Sequence, residues 1–504
     1  MCNRSGGAGK KPSSGNLFHN VLFLYSVKNI RVYIKRKVGG YILKNRIRNG
    51  IIVVSLIPAF TSCTLASNPN TLNSEPSSQL HQEIASSEPI TTEDYLQTLS
   101  DKEKCWMNIT PAQYLEDYDM LYQQLTENYP YFGVAQRKYG VDINQQYKHY
   151  RERIINCKND NDFRSLIRAF VSEIQYTGHI ADWGYGYMSK LKWMRDFVLE
   201  FPEYEEQYEP YFDKLDNKIS QKNYTAMQKF YQEINAEVDK LNSIASSQSD
   251  DESEDNDDYE ESESNNVTTN IIEDGKTAYV KINGFDMSLF KADQETLLSF
   301  YDDVMDYEHI IIDITENPGG GMDYFNQLVV APLTTKTLEV PTFSLVKGGI
   351  LNLHYLQIEE GLRNGTWQPI SELPNMKNIN KNDLADMDYF EKVVYTVLPS
   401  GKGFRGQIWL LVSEYNYSSS EYAAMFSKHS GFATLVGTQT GGDGIGIDPT
   451  YIILPNSGLV IQYSPIYGVT SDGRSSEEYG TVPDITLEEG KTALETCLDV
   501  IDTM

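Results

Sequence analysis

Three consecutive serines, Ser418, Ser419 and Ser420, stand in "LLVSEYNYSSSEYAAMF" between an apolar run with strand character and a segment with helical character. A serine that attacks a carbonyl needs a base, donors for the developing oxyanion, and a group that orients the base. A strand-turn-helix position offers part of this, because backbone N–H groups at the helix start face developing negative charge. A second segment, "IIIDITENPGGGMDYF", has the same layout with a glycine-rich turn, whose bare backbone can approach a substrate and donate N–H groups. That turn lacks the GxGxxG pattern, and no phosphate-binding Lys follows it. The plainer alternative for the serines is a polar helix cap, since a serine hydroxyl at an N-cap satisfies an orphan N–H.

The two strand-turn-helix units, followed by "TLVGTQTGGDG" and "EEYGTVPDI", resemble the tail-specific or C-terminal-processing serine proteases, including the tricorn protease core. The resemblance spans most of residues 270–487 and reaches back to "TGHIADW" at 177–183. Residue by residue, it implies Ser418 as nucleophile, three positions before the helix-opening Glu421, with Ser419 and Ser420 as cap and framework. The Lys base of the bacterial processing branch, 25 residues after the nucleophile, falls on Asp443, so the Ser-Lys dyad is absent. Tricorn-like members use a His at the end of a Gly-His or Ser-His motif on an N-terminal helical segment, which here is His179. An imidazole with a reference pKa of about 6.5 suits a base at neutral pH. The orienting acid of "ExxGxxPD" falls on Glu477, with Glu478 as the neighbouring alternative. The implied oxyanion donors are the N–H of Ser419 and that of a glycine in the 319–321 loop, Gly319 or Gly320. Asp313 and Asn317 match the family's "DxxxNxGG" turn as architecture. The implied chemistry is acyl-enzyme hydrolysis of a peptide or protein substrate, with no cofactor.

These residues need a scaffold. "TAYVKI", "HIIIDI", "QIWLLVS" and "ATLVGT" are short runs rich in β-branched residues that alternate with helical patterns, as in a buried parallel sheet. "TYIILPNSGLVIQYS" reads as a hairpin turning at Asn456, Ser457 and Gly458. Helical spacing recurs over 109–175 and 189–245, and the terminal pattern places Cys497 on an apolar helix face. The fold class expected is α/β, a ClpP/crotonase-like core with an N-terminal helical region and a C-terminal hairpin and helix. The segment between the His motif and the sheet reads as helical and acidic rather than PDZ-like.

The first 62 residues hold eleven Lys or Arg and no acid; the whole chain carries −28, which leaves −39 for the rest. A strongly acidic body argues against nucleic-acid binding, which needs a basic footprint. The basic stretch, the short apolar run "GIIVVSLIPAF" and "TSC" read as a secretory signal, too short to span a bilayer. Ending on Cys63, it resembles a bacterial lipoprotein signal, which implies lipid attachment at Cys63 and a place in the bacterial cell envelope. The expected layout is a leader over 1–62, a flexible tether over 63–105, a helical region over 106–245, an acidic linker over 246–268 and a catalytic core over 269–504. The linker contains "DDESEDNDDYEESES", ten acids without the glycine and spacing of an EF-hand loop. Cys105 and Cys157 are candidates for a disulfide, whose pairing sequence alone does not fix. His179 and Asp182 could supply half a metal site, but no further ligand set has matching spacing, so no metal is expected. Two rival readings share the fold: a catalytically inactive envelope protein that binds peptides or glycans, and a crotonase-like enzyme acting on an acyl thioester.

Overall fold

The computed structural model describes residues 89–246 and 265–504; the leader, Cys63, the tether to residue 88 and residues 247–264 of the acidic run lie outside the described residues. The chain opens with α1 (Thr92–Thr98), α2 (Pro111–Asn128), α3 (Phe132–Tyr139), α4 (Ile143–Ile155) and α5 (Asp160–Ser172). Helix α2 starts at a capping box: Thr110 accepts from the Gln113 N–H, Gln113 reaches back to the Thr110 N–H, and Pro111 fills the first turn. Its residues Tyr114, Tyr118, Leu121 and Leu125 recur at helical spacing and are buried. In α5, capped by Asn159, the buried stripe is Phe163, Leu166, Ile167 and Phe170.

After α5 the chain turns sharply, passes through strand β1 (Ala181–Asp182), and continues as α6 (Tyr187–Glu200), α7 (Glu205–Leu215) and α8 (Lys218–Ser246). The sheet core follows: β2 (Val267–Glu273), β3 (Thr277–Ile282), β4 (His309–Asp313), β8 (Gln407–Val412), β9 (Thr434–Gly437) and β13 (Ile485–Thr486), in the order β13-β9-β8-β4-β3-β2. Strands β3, β4, β8, β9 and β13 pair in parallel, and β2 closes the edge antiparallel to β3. Side chains alternate across the sheet. Ile310 and Ile312 pack with α9 (Phe290–Val304) and α10 (Ser419–Ser430), while Ile311, Trp409 and Leu411 face the terminal helix that carries buried Cys497. Helices on both faces explain why these strands are continuously apolar.

The expected hairpin is present as β10 (Thr450–Ile453) and β11 (Val460–Tyr463), with Gly458 at φ +69 in its turn. The Asp117 carboxylate on α2 accepts from the N–H groups of Asn456 (2.9 Å) and Ser457 (2.7 Å), holding this turn against the helical region. Strand β1 adds to β11 with Ala181 opposite Gln462 and Asp182 opposite Ile461. A further antiparallel sheet, β12-β5-β7-β6, is built from β5 (Leu338–Val346), β6 (Trp367–Pro369), β7 (Tyr389–Val397) and β12 (Tyr467–Thr470). The N-terminal helices share one apolar core with Ile452, Val460, Ile461 and Tyr467. Cys105, Cys157 and Cys497 are free thiols, so Cys105 and Cys157 do not pair.

Candidate active site

The turn after β8 is fixed by Asn416. Its amide donates to the carbonyls of Ile314 (2.5 Å) and Asn317 (3.0 Å), and its Oδ1 accepts the Ser413 N–H at 2.8 Å. The two strand-turn units are thereby tied together before either reaches its helix. Ser418 follows at φ 60, ψ −125, and its hydroxyl caps nothing. Such a conformation costs a non-glycine residue about 1–3 kcal/mol and persists only where surrounding contacts impose it. Here the Ser418 N–H donates to the Gly442 carbonyl (3.0 Å) and the Tyr422 N–H to the Ser418 carbonyl (2.9 Å). Ser419 Oγ donates to the Gly320 carbonyl at 2.6 Å and Ser420 Oγ to the Tyr417 carbonyl at 3.0 Å, so both hydroxyls are engaged in the frame.

His179 arrives from the other end of the chain. Tyr176, Gly178 and His179 all have left-handed φ values, 59, 57 and 56, which fold the backbone back on itself after α5. The Ser464 N–H donates to the Gly178 carbonyl (2.7 Å) and Gln462 Nε2 to the His179 carbonyl (3.1 Å), extending the β1–β11 pairing to the histidine. The imidazole Nε2 then lies 3.0 Å from Ser418 Oγ. Its ring meets the Tyr417 ring edge-on at 4.9 Å. Burial holds His179 below the usual histidine range, with the carboxylates of Asp443 and Asp448 pulling the other way. A neutral imidazole with Nε2 unprotonated can accept the serine proton.

The expected orienting acid is placed differently. Glu477 is buried on α11 (Ser476–Tyr479), but its Oε2 accepts from the Tyr417 hydroxyl (2.8 Å), and its Oε1 lies 3.9 Å from Lys138 Nζ. No hydrogen bond joins it to His179, whose buried Nδ1 has no partner. Glu478 points away and forms a salt bridge with Arg137 at 2.7 Å. The carboxylate that does approach the imidazole is Asp443, with Oδ2 3.8 Å from His179 Nε2. The Ser464 hydroxyl donates to it at 3.1 Å, and the Tyr131 hydroxyl stands 3.3 Å away, shared with the Ile466 carbonyl at 2.6 Å. Burial pushes Asp443 up, opposed by the His179 charge and these hydroxyls. Burial, and next the Asp443 charge, push Glu477 well above the carboxylate range. Two buried carboxyls in one site oppose each other's ionisation. Asp443 was visible in the sequence only as the substitute for a family lysine; that register is itself the signal that it stands beside the nucleophile.

The glycine loop lies over Ser418. A Cβ on Gly319 would sit 2.8 Å from the Tyr417 carbonyl and 3.3 Å from Ser418 Cβ. The Gly319 N–H is engaged by Asn317 Oδ1 at 2.9 Å, which removes it as an oxyanion donor. Among the described residues, the N–H groups of Gly320 and Ser419 find no acceptor. Asp313 accepts from Thr315 and from the Tyr279 hydroxyl (2.7 Å), bracing the turn after β4. Among the described residues no group of three or more His, Cys, Asp or Glu is arranged to hold a metal ion.

Residues 276–487 match the model of peptidase family S41. No curated protein matches the chain. Among solved structures, a protein from Parabacteroides merdae ATCC 43184 is similar with a TM-score of 0.47 and 15% identity over 79% of this chain and 99% of its own. Mature CPAF complexed with lactacystin gives 0.33 and 20%, over 47% of this chain and 53% of its own. The photosystem II D1 C-terminal processing protease gives 0.30 and 18%, over 47% and 52%. The chain thus spans about half the length of these last two. The stretch that this chain shares with peptidase family S41, residues 276–487, includes Ser418, Asp443 and Glu477 and leaves His179 outside it.

Proposed function

We propose that the protein is an endopeptidase that cleaves peptide bonds through an acyl-enzyme, with Ser418 as nucleophile and His179 as base. The observation that carries this reading is the 3.0 Å approach of His179 Nε2 to the Oγ of a serine held in a strained turn. Ser418 Oγ attacks the substrate carbonyl carbon while its proton passes to His179 Nε2. The oxyanion takes the free N–H groups of Gly320 and Ser419. The C–N bond then breaks, and the amine leaves with the proton from His179. Water hydrolyses the resulting ester, giving one proton to His179, which returns it to Ser418.

In this cycle Asp443 supplies the charge that balances the imidazolium. Glu477, held by Tyr417, positions the histidine through the Tyr417 ring rather than through Nδ1. The layout proposed from the sequence goes with this chemistry, except that the tether expected to reach residue 105 gives way to helix α1 at Thr92–Thr98: an exported chain anchored by lipid at Cys63, a helical region over 106–245 that delivers His179, an acidic linker over 246–268, and a core over 269–504. Among the described residues no helix is long and apolar enough to cross a membrane, and lipid on Cys63 would supply the attachment.

The test is labelling of the purified protein with a fluorophosphonate probe, comparing wild type with Ser418→Ala and His179→Ala. Labelling of the wild type, lost in both variants, is the expected result. A folded wild type that is not labelled would favour an inactive peptide- or glycan-binding protein on the same fold.

A further inference from the structure

Arg164, on α5, is 5% exposed, yet among the described residues its guanidinium makes no hydrogen bond, and its Nε is buried without a partner there. The nearest carboxylate oxygen is Asp182 Oδ2, 3.6 Å from Nη2. Asp182 already accepts the Gly184 N–H at 3.1 Å and also faces Arg168 Nε at 3.9 Å. Aromatic faces hold the guanidinium plane, Tyr185 at 4.6 Å and Tyr231 at 5.9 Å, but these contacts leave its N–H groups unsatisfied. A buried guanidinium carries five donors, and leaving it without acceptors costs several kcal/mol.

Arg164 lines a cavity of about 540 Å³ between α1 and α5, a volume within the range of small-molecule sites. Lys104 and Arg168 also line it, and neither side chain is engaged in a hydrogen bond. Two carboxylates, Glu93 and Asp162, are in the wall, and Asp162 is held by the Asn159 amide at 2.9 Å. The Tyr231 hydroxyl is likewise engaged, donating to Asn161 Oδ1 at 2.6 Å. With Asp182 paired to both arginines, three carboxylates balance the three cations, so the unmet donors of Arg164 rather than a net charge favour an acceptor here, and a monoanion is suited better than a phosphate dianion. A carboxylate presents two coplanar acceptors that match the guanidinium fork.

We propose that this cavity is a binding site for a small organic carboxylate, its oxygens on Arg164 and Arg168 and its apolar body against Tyr185 and Leu96. The site shares no side chain with the Ser418–His179 pair and stands whether or not that pair is catalytic.

The test is calorimetric titration of the full chain with phenylacetate, with its neutral isostere phenylacetamide, and with inorganic phosphate. Phenylacetate is expected to bind with one-to-one stoichiometry, phenylacetamide not at all, and phosphate more weakly. Arg164→Gln abolishes binding. Arg168→Gln, at a side chain 60% exposed and therefore without consequence for folding, weakens it about tenfold or more. Equal binding of phenylacetate and phenylacetamide, phosphate as the tighter ligand, or unchanged affinity in Arg168→Gln would each overturn the assignment, as would no heat at about 10 mM phenylacetate, a concentration well above the Kd of a pocket with a charge-assisted fork. N-acetylphenylalanine and its amide separate the sources: tighter binding of the former than of phenylacetate assigns the site to peptide ends, weaker binding to free small carboxylates.

Discussion

Replacing Asp443 by asparagine keeps the shape of the side chain and removes its charge. In the proposed cycle, the proton that leaves Ser418 turns His179 into an imidazolium whose Nε2 is 3.8 Å from Asp443 Oδ2, with both side chains largely buried. Coulomb's law at that separation, with an effective dielectric constant of about 20–40, gives about 2–4 kcal/mol of attraction present in the charge-separated state and absent before it. Because the interaction strengthens only as the proton moves, its loss falls on kcat, by about 30- to 1000-fold, with KM little changed. The same loss makes His179 harder to protonate. Its range, already depressed by burial, falls further, so the acid limb of the kcat/KM profile moves to lower pH by about 1.5–3. The assay is the pH dependence of peptide hydrolysis, or of fluorophosphonate labelling rate, in Asp443→Asn against wild type. A variant with the wild-type plateau and an unmoved acid limb would refute this role for Asp443. A slower variant with an unmoved limb would assign Asp443 to folding alone.

Glu421 is buried and pushed up to about 8 by burial, against hydrogen bonds from Thr440 and Thr481. A folded-state value above the unfolded one means that the folded chain holds the extra proton, so stability is greatest below about 4.5 and falls by several kcal/mol as pH rises through about 8. Glu421→Gln should therefore melt at a higher temperature than wild type at pH 9, and equal melting there would contradict the assignment. Gly319→Ala places a methyl 2.8 Å from the Tyr417 carbonyl at a residue with φ +118; labelling of Ser418 is expected to fall at least about tenfold, as a misplaced oxyanion loop predicts. Tyr417→Phe leaves the ring against His179 but strips the donor from buried Glu477, costing about 1–3 kcal/mol in urea unfolding while labelling stays within a few-fold. A collapse of labelling in that variant would mean that Glu477 acts on the histidine through the Tyr417 hydroxyl itself.

The central parallel strands were legible because they are buried on both faces and read as short, largely apolar runs, as Ile310, Ile311 and Ile312 do. The sheet β12-β5-β7-β6 was not. Strand β7 alternates half-buried and exposed positions, β5 contains Pro341, and their partner β12 lies 70 residues further on, so no local pattern marks the set. In the site, the positions of Ser418 and His179 follow from motif order, because backbone topology brings them together. Hydrogen-bond partners are set by rotamers and competition that motif order does not encode. Gly319 N–H was a candidate donor until Asn317 Oδ1 claimed it, and Glu477 was a candidate partner for His179 until its Oε2 took the Tyr417 hydroxyl.

The histidine and the serine are 239 residues apart in sequence, and what holds them at 3.0 Å is a short series of polar contacts. Four backbone positions with left-handed φ, Gln175, Tyr176, Gly178 and His179, swing the imidazole out of the helical region. Two residues of β1, the Gly178 carbonyl and the Gln462 amide then fasten it to β11, while Asp117 fastens the far end of the same hairpin to α2. The hairpin is therefore the part common to both halves of the site, and its register decides whether the imidazole meets the serine. A shift of one residue between β1 and β11 would turn each side chain of β1 to the other face of the sheet. Gln462 sits at that register, its amide on the His179 carbonyl and its Oε1 accepting from Trp183 Nε1 at 2.8 Å. Gln462→Ala removes both contacts without touching Ser418 or the imidazole. Net losses of about 1 kcal/mol per hydrogen bond predict a modest fall in stability. A 1 Å misplacement of a catalytic group predicts a fall of about 100-fold in labelling rate. Loss of labelling out of proportion to the loss of stability would identify the hairpin as the device that aligns the dyad; losses in proportion would leave it a structural strut.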